Sequence, residues 1–482
     1  HLGAGHSGPD WRAPTPTRPR RQRPAVNPRP TPHHLLRRRA DRRRNDSPAV
    51  CTLTAPACPA IPPTTPLTAP GVGGSIPPDS PNPLKIRRLG RFCRIPDLCS
   101  IGYTTRLSEY NPTAPCPAGQ RQLLDRQNLS LDIQPRRHIL APIVNDSPAR
   151  AIELHRSALV ADLHCDSILA HLKGERELDR RSATGHLDLP RLADGGVKLQ
   201  VFAIWPDPKT LRPGELDPFV QRGAEAVKEL CARNADRLAL AMSPADAFAI
   251  AGSGRIAAVI AVEGGHALEG RLERLQQWNT AGVSLLTITW CNSNELADSS
   301  GDENKPHNGL SPLGRDAIRE LNRLGMIVDV SHCSDAAFFQ ILETSAAPVI
   351  ASHSGIRARR DHNRNLTDDQ LKALAASRGV MGMVFLPCFL NADENKASIT
   401  DVIAGIDHVV QLVGPDFVGI GSDFDGFAGS LAGLEDVSKL PTITDRLLHL
   451  GYSETAIRCI LGANFLRVWQ EVTQAAGRSR DS

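Results

Sequence analysis

Histidine and carboxylate side chains recur after short apolar runs in the second part of this 482-residue sequence. Residues that can ligate a metal or carry a proton stand at the ends of five such runs, at His164 and Asp166, Glu263, His332, His353 and Asp423. Imidazole nitrogens and carboxylate oxygens together form the mixed donor set that zinc and similar divalent ions prefer. The residue types therefore predict a hydrolytic metal centre.

The spacing within the first run supports this prediction. In an extended segment, residues two positions apart face the same side, so His164 and Asp166 should point together while Cys165 points away. Any one histidine alone could instead be a core residue that hydrogen-bonds the backbone. The coincidence of several such residues at strand ends favours ligands over that alternative.

The number of candidate ligands predicts more than one ion. A single catalytic zinc needs about three protein ligands and one open position, whereas this sequence offers five ligands and a spare carboxylate. We therefore expect two ions about 3.5 to 4 Å apart, bridged by a carboxylate and by a water whose pKa the ions lower.

An alternation of strands and helices must hold these residues in place. From about residue 148, β-branched apolar runs predict eight strands, at 158–163, 198–204, 256–262, 284–289, 326–330, 347–352, 380–385 and 417–421. Helical periodicity predicts helices at 314–324, from Asp368 onward and after Ser453, the last of them packing outside the barrel. This pattern predicts the α/β class and a closed (β/α)8 TIM barrel, whose loops gather reactive groups at the C-terminal ends of the strands.

The sequence before the barrel has a different composition. Residues 1–147 are rich in Pro and Arg and lack apolar periodicity, which predicts a low-complexity, disordered extension. Alternatives for this stretch are a basic arm for nucleic acid, an organelle transit peptide, or an artefact of the start site. We expect the barrel to span 148–476 and a disordered tail to span 477–482.

Charge, hydropathy and cysteine content narrow the class of protein. The formal net charge of +4, from 56 basic and 52 acidic residues, gives no general argument for a nucleic-acid partner. No apolar run reaches the roughly 18 residues of a membrane-spanning helix, and the end resembles no lipid-anchor tail. The 11 cysteines form no CxxC pairs, which favours reduced thiols. The sequence therefore predicts a cytoplasmic protein with neither a membrane nor a nucleic-acid partner.

Eight short segments also carry a resemblance to a known family. They are DLHCD (162–166), VEGGH (262–266), GLSPLG (309–314), VSH (330–332), SHS (352–354), RN (364–365), GSDFDG (421–426) and GLEDV (433–437). With these segments, the stretch from about 150 to 475 resembles the membrane (renal) dipeptidase family of zinc peptidases, within the amidohydrolase-like barrels. The resemblance covers nearly the whole region that is predicted to fold.

The resemblance implies a centre of two Zn²⁺ ions per chain. By position in the family pattern, His164 and Asp166 would hold one zinc ion. His332 and His353 would hold the other, and Glu263 would bridge the two.

The resemblance also implies two residues that act on the substrate. Arg364 would bind the substrate's carboxylate, a role that suits a planar guanidinium. Asp423 would act as the general acid/base that activates the bridging water and then protonates the leaving amine. The family further implies dipeptide-sized substrates and a homodimer.

One position departs from the family pattern. Where mammalian members have a histidine that stabilises the oxyanion, this chain has Trp290, which is frequent at this point in bacterial members. The departure places the oxyanion donor and the substrate range in doubt. Asn292, Asn294 or the metal itself could supply the donor, so Trp290 and Asn292 are candidates for substrate binding. His266 and His307 receive no role, except that His266 could pack a loop or support a ligand.

These expectations combine into one hypothesis for function. The chain would be a binuclear zinc dipeptidase that hydrolyses the peptide bond of dipeptides through a metal-bridging hydroxide. Two alternatives stay open: an amidohydrolase that acts on a non-peptide C–N bond, such as an N-acyl amino acid or a cyclic amide, and a catalytically silent barrel that serves as a binding scaffold.

Overall fold

A closed barrel of parallel strands lies at the centre of the structure. The computed structural model describes residues 148–480, with side chains described up to residue 477, so the predictions for 1–147 and for 481–482 lie outside the described residues. Within this range the strands are β1 (Val160–Cys165), β2 (Val197–Ile204), β3 (Leu238–Leu240), β4 (Ile256–Glu263), β5 (Val283–Thr287), β6 (Ile327–Asp329), β7 (Ile350–Ser354), β8 (Val380–Met383) and β9 (Val418–Ile420). All eight predicted strands are confirmed, with small shifts at their ends.

The strand order shows how the barrel closes. The strands follow one another in the order β2-β1-β9-β8-β7-β6-β5-β4, all in parallel, and β2 also pairs with β4, from Leu199 opposite Ala257 to Ile204 opposite Val262. The predicted α/β barrel is therefore confirmed. The additional strand β3 pairs only with the first half of β4. Its three residues are too few to produce a period in the sequence, which explains why it was missed.

Helices follow most strands and cover the outside of the barrel. They are α1 (Pro148–Ser157), α2 (Ser167–Leu172), α3 (Leu189–Asp194), α4 (Leu216–Arg233), α5 (Pro244–Gly252), α6 (Glu273–Thr280), α7 (Pro312–Leu324), α8 (Asp335–Thr344), α9 (Asp368–Ala376), α10 (Pro387–Leu390), α11 (Ile399–Val413), α12 (Pro441–His449), α13 (Glu454–Arg458) and α14 (Asn464–Arg480). Among the described helices, none is both long and apolar enough to cross a membrane.

Local sequence signals set the ends of the predicted helices. At the start of α7, the Ser311 side chain accepts a hydrogen bond from the Gly314 backbone N–H, and a proline occupies the first turn. Gly325 ends α7 in the left-handed conformation, with φ of 76°, which glycine adopts at little cost. At the start of α9, Thr367 and Gln370 form a capping box. The helices predicted at 314–324 and from Asp368 are thereby confirmed.

The C-terminal helix differs from its prediction in both continuity and position. A π-helical turn, Cys459–Ala463, separates α13 from α14, and Gly462 within it has non-helical backbone angles. A side chain at Gly462 would collide with the carbonyl oxygen of Leu159. The apolar face of α14, which includes Phe465 and Trp469, joins the buried cluster formed by side chains from seven barrel strands. The helix therefore closes the N-terminal end of the barrel rather than packing outside it. Its last residues, up to Arg480, reach into the segment that was predicted as a tail.

Candidate metal centre

The predicted ligands meet at the C-terminal end of the barrel. His164 lies in β1, Glu263 is the last residue of β4, and His353 lies in β7. His332 follows β6, and Asp423 follows β9. These five residues and Asp166 are buried, and none of the six is more than 9% exposed. Since parallel strands of a barrel end at a common face, residues far apart in sequence converge here.

Glu263 stands between the histidines. Its Oε1 lies 2.9 Å from Nε2 of His332 and 3.5 Å from Nε2 of His353. Its Oε2 lies 3.6 Å from Nε2 of His164, on the other side. The two oxygens of one carboxylate thus face two different sets of imidazole nitrogens.

Two further carboxylates complete the His164 side of the cluster. Nε2 of His164 lies 3.5 Å from Oδ2 of Asp166 and 4.0 Å from Oδ1 of Asp423. Gly426 permits this approach, because a Cβ atom there would collide with the carboxylates of both Asp166 and Asp423. The predicted pairing of His164 with Asp166 on one side is therefore observed, and Cys165 is buried in the apolar cluster.

The electrostatics of the cluster favour a bound cation. Burial raises the pKa of Asp423 well above its usual value, and repulsion from Asp166 adds to the shift. Burial also raises the pKa of Asp166, to about 6. Burial opposes protonation of His164, yet the neighbouring Glu263 and Asp166 raise its pKa well above the ordinary value. A cation between these three buried carboxylates would offset their mutual repulsion.

Burial and nearby positive charge favour the neutral form of the other two histidines. Burial lowers the pKa of His332 to about 4, and the charge of Arg364 contributes to the shift. Burial also lowers the pKa of His353 well below its usual value. Neutral imidazole is the form that binds a metal ion.

The donor set fits a metal ion on geometry as well. Ligand atoms of His164, Glu263 and His353 all lie within 4.8 Å of one another, as do those of His164, Asp166 and Asp423. Among the described residues, neither ring nitrogen of His164 has a hydrogen-bond partner, although both are buried. A cation between these groups would satisfy Nε2 of His164 and the facing carboxylates together.

Backbone strain is concentrated in the same place. His332 and Asp423 adopt left-handed conformations, with φ of 68° and 62°, and Asp425 does so with φ of 67°. Such conformations are unfavourable for residues other than glycine and persist where the surroundings enforce them. They turn the chain sharply after β6 and β9, at the positions of the candidate residues His332 and Asp423.

Two buried aspartates for which the sequence predicted no role hydrogen-bond to serines next to the cluster. Asp329, the last residue of β6, accepts a hydrogen bond of 2.6 Å from the Ser352 hydroxyl, whose oxygen lies 2.8 Å from Nδ1 of His353. Asp162 in β1 accepts a hydrogen bond of 2.6 Å from the hydroxyl of Ser422. The serine directly before His353 was a visible signal, but its bond to Asp329 depends on strand register.

Arg364 is buried beside the cluster, with only 3% of its surface exposed. Its Nη2 donates to the carbonyl oxygen of His353 at 3.1 Å, and its guanidinium lies 5.3 Å from the ring centre of Phe389. Its Nε is buried with no hydrogen-bond partner among the described residues. The neighbouring Arg359, by contrast, is exposed.

The long connection between β5 and α7 carries the remaining candidates. Trp290 is buried and packs against Trp205, which follows β2, with 4.5 Å between ring centres. Asn292 is half-buried, and its Oδ1 has no hydrogen-bond partner among the described residues. The Asn294 side chain is already used within the loop, since it donates to Ile288 and accepts from Leu296.

Two histidines and a cysteine near the cluster also make defined contacts. Nε2 of His266 lies 2.9 Å from the carbonyl oxygen of Pro206, and Nε2 of His307 lies 2.8 Å from that of Asn294. These contacts fit loop packing for both histidines. Cys291, for which the sequence predicted no role, has its Sγ 3.7 Å from Nδ1 of His332.

Comparisons with known proteins agree with this architecture. A family profile described as membrane dipeptidase (peptidase family M19) matches residues 148–482. The chain is similar to dipeptidase tcpJ of Claviceps purpurea, with 35% identity over 309 residues, which are 62% of this chain and 72% of the relative.

Two solved structures extend the comparison. The chain is similar to the probable dipeptidase PvdM from Pseudomonas aeruginosa, with a TM-score of 0.62, 28% identity, and coverage of 68% of this chain and 98% of that one. It is also similar to a metallopeptidase from Rhodobacter sphaeroides liganded with a phosphinate mimic of the dipeptide L-Ala-D-Ala, with a TM-score of 0.61, 27% identity, and coverage of 65% and 99%.

Proposed function

Since the chain belongs to the membrane dipeptidase family and is a metallo-dipeptidase, we propose that it cleaves dipeptides at a centre of two zinc ions. The observation that carries this proposal is the position of Glu263, whose two carboxylate oxygens face His164 on one side and His332 on the other. A carboxylate in this arrangement is suited to bridging two ions.

The proposed ligand sets follow from the same contacts. His164 and Asp166 would hold one zinc ion, His332 and His353 would hold the other, and Glu263 would belong to both. When bound, zinc supplies Lewis acidity toward a carbonyl oxygen and lowers the pKa of water toward neutrality.

Arg364 is proposed to orient the substrate. The Nε of its buried guanidinium has no hydrogen-bond partner among the described residues. Its Nη2 donates a hydrogen bond to the backbone carbonyl oxygen of His353. A free carboxylate one residue beyond the scissile bond would reach this group and set the distance to the cluster. A longer peptide has no carboxylate at that distance, so the clamp would select dipeptides.

Asp423 is proposed to carry the proton between water and the leaving amine. Its carboxylate lies on the His164 side of the cluster, with Oδ1 4.0 Å from the ring nitrogen, and the strained turn after β9 directs it there. General acid/base catalysis requires a group within hydrogen-bond reach of both the attacking and the leaving atoms. We propose that Asp423 comes within that reach when a dipeptide is bound.

Trp290 and Asn292 are proposed to line the substrate side of the pocket. The phosphinate mimic bound by the Rhodobacter relative supports a site for the tetrahedral stage of dipeptide cleavage. In this chain, the unpartnered Oδ1 of Asn292 and the ring of Trp290 lie on the loop after β5, where the family's oxyanion histidine would stand. We propose that both residues contact the substrate and that the metal centre would stabilise the oxyanion.

Location and assembly are proposed on separate grounds. The six cysteines among the described residues are all free thiols, which suits the reducing cytoplasm. A homodimer is proposed from the family resemblance alone.

The test is a paired measurement of metal content and activity on the full chain. We expect about two zinc ions per chain, cleavage of dipeptides, loss of cleavage after chelation and its return with zinc. The Glu263→Gln variant keeps the side-chain shape but removes the charge, so it should lose both zinc and activity.

The substrate panel separates the proposal from its alternatives. It should include dipeptides, the matching tripeptides, and N-acyl amino acids and cyclic amides. Two zinc ions with cleavage of only the non-peptide substrates would favour the other amidohydrolase hypothesis. Binding of dipeptides without any turnover would favour the silent scaffold, and the absence of bound metal would refute the mechanism.

A further inference from the structure

We propose that Asp329 and Ser352 form a positioning pair that decides which ring nitrogen of His353 carries the proton. The pair would keep the proton on Nδ1, so that Nε2 presents its lone pair to the cluster. This inference rests on the proposed metal centre, because only there does the choice of nitrogen matter for function.

Asp329 is surrounded by donors. Its Oδ2 accepts from the Thr287 hydroxyl at 2.6 Å and from the Ser352 hydroxyl at 2.6 Å. Its Oδ1 accepts from the backbone N–H groups of Ser352 at 2.8 Å and Ser331 at 3.0 Å. The carboxylate is fully buried, and these four bonds come from β5, from β7 and from the turn after β6. A carboxylate satisfied in this way acts only as an acceptor.

The direction of the Ser352 hydroxyl follows from this arrangement. A serine hydroxyl has one proton to donate, and Ser352 gives it to Asp329. Its oxygen can therefore only accept at the 2.8 Å contact with Nδ1 of His353. A neutral imidazole has one N–H, so a proton on Nδ1 leaves Nε2 unprotonated.

The freed nitrogen points to the place where a ligand is needed. Nε2 of His353 lies 2.9 Å from Nε2 of His332 and 3.5 Å from Oε1 of Glu263. The competing tautomer would place a proton on Nε2, where it could be donated to Glu263 and would block ligation. The Asp329 and Ser352 pair opposes that outcome.

The other two histidines lack such a relay. Nδ1 of His164 has no hydrogen-bond partner among the described residues, and Nδ1 of His332 faces only the thiol of Cys291 at 3.7 Å. The equivalent pair at β1, Asp162 and Ser422, ends on the carbonyl oxygen of His164 rather than on an imidazole. Among these three histidines, only His353 has an Nδ1 that is linked to a buried carboxylate through a hydroxyl group.

The decisive variant is Asp329→Asn, which preserves shape but reverses one hydrogen bond. The amide nitrogen would replace Oδ2 and donate to the oxygen of Ser352, so the serine proton would turn toward Nδ1 of His353. The imidazole proton would then reside on Nε2. We expect ¹⁵N NMR of the metal-free full chain, labelled at histidine, to show Nδ1–H for His353 in the original protein and Nε2–H in the variant. The resonance is assigned by its loss in His353→Asn.

Two further variants supply the control and a second test. Thr287→Val removes a hydroxyl donor from the same Oδ2 atom but leaves Ser352 in place, so it should reduce stability without moving the proton. Ser352→Ala removes the link itself, so Nε2–H should appear even if the Asp329 variant does not fold. Ser352→Thr, which restores the hydroxyl, should return the proton to Nδ1.

Zinc affinity gives an independent readout. Groups that orient metal-binding histidines typically change metal affinity by about 10- to 100-fold when they are removed, and we expect a loss of that size for Asp329→Asn and Ser352→Ala but not for Thr287→Val. Retention of Nδ1–H in both relay variants would overturn the inference, as would an equal loss of affinity in Thr287→Val. A proton shift in a chain that binds no zinc would support the relay and refute the proposed function instead.

Discussion

Burial distinguishes Arg364 from the other arginines near it in sequence. The sequence around it contains Arg357, Arg359 and Arg360, and composition alone does not distinguish among the four. In the structure Arg364 alone of this group is buried, at 3% exposure, and burial lowers the pKa of its guanidinium. A buried cation is costly unless an anion compensates it, which is the physical reason to expect a substrate carboxylate at this position.

We expect Arg364→Lys to raise KM and to lower kcat/KM by at least about tenfold, because an ammonium cannot reproduce the planar fork of donors. Steady-state kinetics on a dipeptide series would measure both constants. Arg359→Lys is the matched control, because this arginine is exposed and its replacement should leave both constants unchanged. Equal kinetics for the two variants would contradict the proposed clamp.

The sequence could predict those site residues that stand at the ends of strands. His164, Glu263 and His353 were identified because each stands where an apolar run stops, and the barrel rule brings such positions together. Asp329 was not identified, since its role depends on Thr287 and Ser352 lying opposite it in neighbouring strands. Register of that kind is set by the closed barrel and has no periodic signal in the sequence.

At the level of elements, the loop after β9 is held by a buried ion pair. Asp425 is bonded by both terminal nitrogens of Arg176 and by the Ser167 hydroxyl. The backbone N–H of His186 donates to the same carboxylate at 2.7 Å. Burial opposes ionisation of Asp425, but Arg176, Ser167 and His186 together lower its pKa. The segment after β1 thus fixes the turn that carries Asp423.

We expect Arg176→Met to lower the free energy of unfolding by about 3 to 5 kcal/mol, because it leaves Asp425 buried without a counter-charge. The kcat should fall as well, since the turn loses its anchor. Urea unfolding and kinetics would measure the two effects. The double variant with Asp425→Asn should recover part of the stability, and a double variant as unstable as the single one would argue against the ion pair as the cause.

A histidine joins two outer helices in a way that depends on pH. His155 in α1 is buried, with Nδ1 2.7 Å from the Thr444 hydroxyl in α12 and Nε2 2.8 Å from the carbonyl oxygen of Gly195. Burial lowers the pKa of His155 below the ordinary histidine value of about 6.5, so the folded protein favours the neutral ring. The resulting stabilisation is present above about pH 6.5 and is lost as the pH falls through the lower folded-state pKa.

We therefore expect the free energy of unfolding to fall more in the original chain than in His155→Phe when the pH is lowered from about 7.5 to about 5. Urea unfolding at several pH values would measure this difference in slope. His449→Gln, at an exposed position in α12, should keep the slope of the original chain. Identical slopes for all three proteins would exclude His155 as a source of the pH dependence.

Strands and helices were predictable where burial imposed a pattern over enough residues. The two faces of β4 are both buried, so its sequence is a continuous apolar run. The break between α13 and α14 was not predictable, because the atoms that exclude a side chain at Gly462 belong to Leu159 and Ala161, which are far from it in sequence. A contact between such distant residues becomes visible only in the folded chain.

At the scale of the whole molecule, the barrel has two unlike ends. The C-terminal end holds the polar cluster, and the N-terminal end is closed by α14, whose Trp469 and Phe465 are each 1% exposed. The closed barrel was predicted from strand alternation, but the position of α14 across its N-terminal end was not. An amphipathic helix has the same periodicity whether it lies beside a barrel or across its end.

We expect Trp469→Ala to lower the free energy of unfolding by about 3 to 5 kcal/mol, as is typical for truncation of a buried aromatic side chain. Zinc content per folded chain should not change, because the helix and the cluster occupy opposite ends. Phe248→Ala is the control, since this aromatic residue in α5 is 59% exposed and its loss should cost less than about 0.5 kcal/mol. Loss of zinc in the Trp469 variant would contradict this separation of the two ends.

The position of α14 also bears on how the chain folds during synthesis. Strand β1 is translated early in the barrel, whereas the helix that covers the same end is translated after all nine strands. Side chains of β1 such as Ala161 and Leu163, which share a buried cluster with α14, must therefore wait uncovered while the rest of the barrel leaves the ribosome. Until α14 has left the ribosome, we expect these apolar side chains to be available to a chaperone that binds apolar segments.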